Sequence, residues 1–206
     1  NNLLEAEKLF IGSADKDAFR KQKRRQNQSQ RNKQGLYISS ARSWMFNEVL
    51  SQRVKSQTWN KYIDGDLVKL HSECKSLASE INKSVYHTEG LMEHVLKQEL
   101  KPAATLFGDA ALMTSGPAYE IEKQIQLKHE NWMQGLQNMR AQPDCRALQV
   151  LPQDFNWHWC LKNQSNQHEP DNYKQLRLIL NFALPAGSFA TVLIRELVKA
   201  VEPKKV

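Results

Sequence analysis

The stretch Asn181–Ala200, NFALPAGSFATVLIRELVKA, decides how this chain is read. Just upstream and into it, Leu176, Leu178, Leu180, Phe182 and Leu184 alternate with Arg177, Ile179, Asn181 and Ala183. A period of two marks a strand with one strongly apolar face. Pro185 cannot donate to a ladder, so the strand is expected to stop there. Gly187 permits a sharp turn. Ser188 is placed to cap a following helix by accepting a bond from an early N–H. Phe189, Val192, Leu193, Leu197 and Ala200 then share one helical face, with Arg195 on the other side. The pattern alone leaves Phe189 with two readings: a core residue at the helix start, or a ring presented at a surface edge.

The 206 residues suffice for one domain or two small ones, and 40% apolar content allows a sizeable core. The net charge of +7 favours an anionic partner. Three scattered cysteines, Cys74, Cys145 and Cys160, fit neither a disulfide framework nor a metal site, and suggest a reducing, cytoplasmic setting. The dispersed histidines give no metal-ligand spacing. No apolar run reaches transmembrane length, and there is no P-loop, dinucleotide fingerprint or nucleophile elbow.

From the other end, Leu3, Leu4, Leu9 and Phe10 indicate a first helix broken at Gly12-Ser13. Asp15 could cap a second one through Phe19. Residues 16–33 are dense in base, including Arg24, Arg25, Arg31 and Lys33, and read as a solvated linker or an RNA-facing arm. A helix is expected over 36–56, since Ile38, Ala41, Met45 and Val49 recur at helical spacing. Arg42 and Arg53, eleven residues apart, project on nearly one line of it. Asp64-Gly65-Asp66 signals a turn into a strand over 67–70. Thr88 could cap a helix over Leu91–Leu96. Residues 103–117 read as loop-rich, 119–140 as one or two helices, 147–151 as a strand, and Phe155, Trp157, Trp159 and Leu161 as another, paired antiparallel with the last strand across a long loop at 162–174.

Several of these segments together resemble the TruD family of tRNA pseudouridine synthases. Leu184–Thr191 and Arg195-Glu196-Leu197 are similar to its closing L-P-A-G-S-[FY]-A-T and R-E-L signature. Arg31-Asn32-Lys33, Ser39–Ser43 and Phe46-Asn47 resemble its R-N-K, S-A-A-R-S and F-N segments. Arg146, Pro152, Trp157 and Trp159 match its R-x-x, P and W-x-W pattern. The resemblance implies an α/β (α+β) fold in two parts. Residues 1–26 and 151–206 would contribute to an antiparallel-sheet catalytic domain, and residues 27–150 would form an inserted mixed α/β domain.

It further implies isomerisation of uridine to pseudouridine in tRNA, with uridine 13 of the D-arm as target. No cofactor, metal or membrane is involved, and a monomer is expected. Phe189 would line the pocket for the flipped uridine beside Gly187 and Ser188, and Arg24, Arg25, Arg31, Lys33, Arg42 and Asn47 would bind substrate, although Arg42 and Asn47 also read as structural. The family's nucleophile is the aspartate of a G-x-K-D-[RK] motif. The one Lys-Asp pair here, Lys16-Asp17, follows Ala14-Asp15 and precedes Ala18-Phe19, so Asp17 is rejected for that role. The chain starts at Asn1, straight into a helical pattern, and is expected to be a C-terminal fragment that lacks the nucleophile and is inactive alone. The alternatives are a non-catalytic RNA-binding module and a protein-interaction domain whose charge serves solubility.

Overall fold

The computed structural model describes residues 1–15, 19, 21, 27–70, 73–76, 100–162, 175–185 and 188–198. The expectations for Asp17, Arg24, Arg25, the helix over Leu91–Leu96, the loop at 163–174 and Gly187 lie outside the described residues. Contacts group the chain into two compact units, 1–149 and 150–206.

The first unit is built round one long helix. α1 (Asn2–Gly12) packs against α2 (Gln28–Lys55), whose inner stripe is Ala41, Met45, Phe46 and Val49, all buried. Four strands form an antiparallel sheet: β1 (Leu67–Leu70), β2 (Glu73–Ser76), β3 (Leu100–Leu106) and β4 (Asp144–Ala147), in the order β2-β1-β3-β4. Leu67 faces Ser76 on one side and Ala103 on the other, and Ala103 faces Ala147 in turn. α3 (Gly116–Lys128) and α4 (Glu130–Asn138) complete the unit. One core joins these layers: Ala6 and Phe10 from α1, the α2 stripe, Ala104 and Phe107 from β3 and its exit, Ile125, Met133, Leu136 and Leu148. α1 lies so close to α4 that a Cβ on Gly135 would overlap the Phe10 ring. By contact, therefore, residues 1–15 group with the helical unit, where the sequence expectation groups 1–26 with 151–206.

A turn locks the sheet to α3. Gly65 takes φ +81°, and a Cβ there would collide with the Ser115 carbonyl. Ser115 N–H donates to the Gly65 carbonyl (3.1 Å) and Ala118 N–H to that of Asp64 (3.2 Å). Beside it Arg53, 2% exposed, donates to both carboxylate oxygens of Asp66, 1% exposed, and to the carbonyls of Thr58 and Lys61. Removing one partner of a buried pair strands the other charge and costs about 3–5 kcal/mol.

Three expectations are corrected here. The stretch from 103 reads as loop in the sequence because Pro102 and Gly108 bracket it; Ala103–Leu106 in fact belong to β3, and both faces of that strand are covered, which erases the alternation that betrays a half-buried strand. The strand expected at 147–151 is β4, three residues earlier: it leaves directly from Pro143, buries Cys145, and its pairing ends as Leu148 N–H donates to the Pro102 carbonyl (2.8 Å). The cysteine reading changes too, since Cys145 is disulfide-bonded while Cys160 is free.

The second unit holds β5 (Gln153–Lys162) and β6 (Gln175–Ala183), an antiparallel pair, followed by α5 (Ala190–Leu197). Trp157 faces Leu180, Trp159 faces Leu178 and Leu161 faces Leu176. A register shift between Gln153 and Asn156, with Asp154 at φ +51°, brings Phe155 and Phe182 into a stack at 6.1 Å. The opposite face pairs Asn156 with Asn181 and Cys160 with Arg177. The alternation of both strands is legible in the sequence because each has one apolar face.

Candidate functional site

Phe189 stands between β6 and α5. Its backbone is extended (φ −115°, ψ 119°), its carbonyl accepts the N–H of Val192 (3.0 Å), and its side chain is 72% exposed. It precedes α5 rather than occupying its first turn, which corrects two sequence expectations. Ser188 does not cap the helix: its N–H turns back to the Pro185 carbonyl (3.1 Å), and the N-cap is Phe189, which has no side-chain cap bond. Phe189 also leaves the expected helical face, because its backbone is extended and the helix begins only at Ala190. An open ring at a strand-to-helix junction is a surface on which a base can stack.

Of the basic candidates, Arg31, Lys33 and Arg42 fall on α2. That helix starts at Gln28, eight residues before the expected start. Asn27 and Gln30 cap it reciprocally: Asn27 Oδ1 accepts from Gln30 N–H (2.9 Å) and Gln30 Oε1 from Asn27 N–H (3.1 Å). The first turns carry no apolar stripe, so periodicity could not reveal them; the Asn-x-x-Gln spacing could have. Arg31 and Lys33 are therefore helical, and both are exposed. Arg31, Arg42 and Arg53 recur every eleven residues, about 16 Å apart along one line. Their surroundings differ steeply. Arg31 is exposed, Arg42 is half-buried and Arg53 is buried.

Arg42 is a structural strut. Its Nε donates to the Phe107 carbonyl (2.7 Å), and its Nη2 to those of Leu106 (3.1 Å) and Gln142 (2.8 Å). Burial lowers its pKa, partly countered by Asp144. Asn47 is exposed one turn beyond Ser43. On the same side of α2, Arg146 of β4 lays its guanidinium 5.2 Å from the centroid of the buried Phe46 ring, and its Nη1 donates to Ser43 Oγ (3.3 Å). The structure thus brings together Arg42 and Arg146, while among the described residues nothing ties Asn47 to either. The sequence marks Arg146 as a motif position but not as a site residue.

Among the described residues no group of three or more His, Cys, Asp or Glu could hold a metal ion. No helix among them is long and apolar enough to cross a membrane.

The family model described as tRNA pseudouridine synthase D (TruD) matches residues 14–197. The tRNA pseudouridine synthase D of Hydrogenovibrio crunogenus is 37% identical over 167 residues, which cover 81% of this chain and 43% of that protein. The tRNA pseudouridine synthase D of Legionella pneumophila (strain Lens) is 29% identical over 199 residues, 96% of this chain and 50% of that one. The chain thus spans about half the length of these curated relatives. Among solved structures, the putative tRNA pseudouridine synthase D from Methanosarcina mazei shares the fold, with a TM-score of 0.58 and 19% identity over 79% of this chain and 37% of that one. The match covers both units, from before α2 to the end of α5, and on it the chain belongs to the tRNA pseudouridine synthase D (TruD) family.

Proposed function

We propose that the full-length protein isomerises uridine 13 of the tRNA D-arm to pseudouridine, that Phe189 lines the pocket taking the flipped base, and that the basic residues of α2 and the segment before it hold the RNA backbone. Chemistry on a base requires its extrusion from the stack and a surface to receive it. The observation that carries the reading is the open Phe189 ring, held at a strand-to-helix junction inside the L-P-A-G-S-F-A-T signature. The net charge of +7 favours a polyanion. The G-x-K-D motif has no match within these residues, so the reading assigns the nucleophilic carboxylate to sequence outside them.

The test incubates an unmodified tRNA transcript with the full-length protein and, separately, with the 206-residue chain, and maps pseudouridine by carbodiimide-dependent primer extension. The expected result is modification at position 13 by the former and none by the latter. No pseudouridine from the full-length protein would overturn the activity. Modification by the shorter chain would overturn the placement of the nucleophile.

A further inference from the structure

Three arginines of the first unit lie close to its core, and two of them are engaged with the carbonyls and carboxylate that hold the fold. Arg42 serves three carbonyls, and Arg53 serves Asp66, Thr58 and Lys61. Arg146 differs. It is half-exposed on β4, the edge strand of the sheet, and has no ion pair among the described residues. The Phe46 ring beneath and Ser43 beside it hold its guanidinium in place. The bond to Ser43 is long for a charged donor, and most of the five guanidinium N–H groups remain available. Ser39, Ser43 and Asn47 follow one another at four-residue intervals along the same side of α2, so hydroxyls and an amide line the path leading away from it. Arg42 and Arg146 lie close enough for their charges to act on each other, and Asp144 acts on Arg42 and accepts the Cys145 N–H (2.7 Å).

We propose that Arg146 is a phosphate-binding residue of this unit, and that an RNA backbone passes it along the Ser39–Ser43–Asn47 line of α2. This rests on the RNA reading above and adds to it a residue and a track. A guanidinium is planar, and its fork suits two oxygens of a phosphodiester.

The experiment titrates labelled tRNA transcript with the 206-residue chain, as wild type, Arg146→Gln and Arg146→Lys, over a series of salt concentrations, and records thermal melting of each. Loss of one phosphate contact lowers the slope of log affinity against log salt by about one and weakens binding about tenfold. Arg146→Gln is expected to show both, and Arg146→Lys to keep the slope with a smaller loss, because its charge stays while the planar fork goes. A merely structural role would lower melting and affinity but leave the Arg146→Gln slope equal to wild type, and that result overturns the proposal. A wild-type affinity indifferent to salt overturns the RNA reading together with it, so the two failures are distinct.

Discussion

Phe189 exposes most of an aromatic ring, and on the proposal above the flipped base stacks there. Truncating an exposed ring removes little packing, so Phe189→Ala in the 206-residue chain is expected to leave the melting temperature within a degree or two (about 0.5 kcal/mol at most). Turnover of the synthase proposed above should fall by an order of magnitude or more, since one base–aromatic stack is worth about 1–3 kcal/mol. Single-turnover kinetics beside tRNA binding decides the matter: equal losses in both, with lowered melting, would return Phe189 to the core. Glu122 is the opposite case. It is 1% exposed, and its carboxylate accepts from Thr105 N–H (2.7 Å) and Thr114 Oγ1 (2.8 Å). Burial outweighs those bonds and raises its pKa above the ordinary 4.5. A raised carboxyl favours the fold where it is protonated, below its unfolded pKa, and that contribution is lost as pH rises through the folded value. Glu122→Gln mimics the protonated form. Wild type should therefore gain stability relative to this variant between pH 7 and pH 4.5. Denaturant melts at the two pH values check it, and an unchanged difference would refute it.

Among the elements, α2 shows best what the sequence discloses and what it hides. Ala41, Met45 and Val49 announce its inner stripe, because a half-buried helix writes its period into the chain. The start at Gln28 is hidden, because the first turns are exposed and carry no apolar stripe, and the cap marks where they begin. Asn27→Ala should remove about 1 kcal/mol from that end. The loss should appear as faster amide exchange over residues 28–36, with residues 41–53 unaffected; a uniform change along the helix would show that the first turns are held by something other than the cap. β3 is hidden for the opposite reason, since burial on both faces leaves no alternation, and Pro102 points to a loop. β5 and β6 are legible almost to the residue, from Trp157 and Trp159 on one strand and Leu178 and Leu180 on the other.

On the scale of the whole molecule, two compact units carry the candidate residues unequally. The basic residues belong to the first and the aromatic signature to the second. The signature residues are readable because they form one contiguous run. The α2 face is not, because Arg146 lies about a hundred residues from Ser43 and only the fold brings them together. If the basic arm binds RNA, replacing Arg24, Arg25 and Arg31 together by Gln should lower the salt slope of tRNA affinity by about two to three. An unchanged slope would remove the arm from the interface.

The eleven-residue line of arginines along α2 also serves as a built-in ruler. A dicarbonyl reagent that condenses with guanidinium groups should reach Arg31 first, Arg42 slowly and Arg53 only once the unit opens, because each lies deeper than the last. Peptide mapping of the modified chain would then report, from a single helix, how far an unfolding event has travelled. The same labelling in the presence of tRNA would show which guanidinium groups the nucleic acid shields.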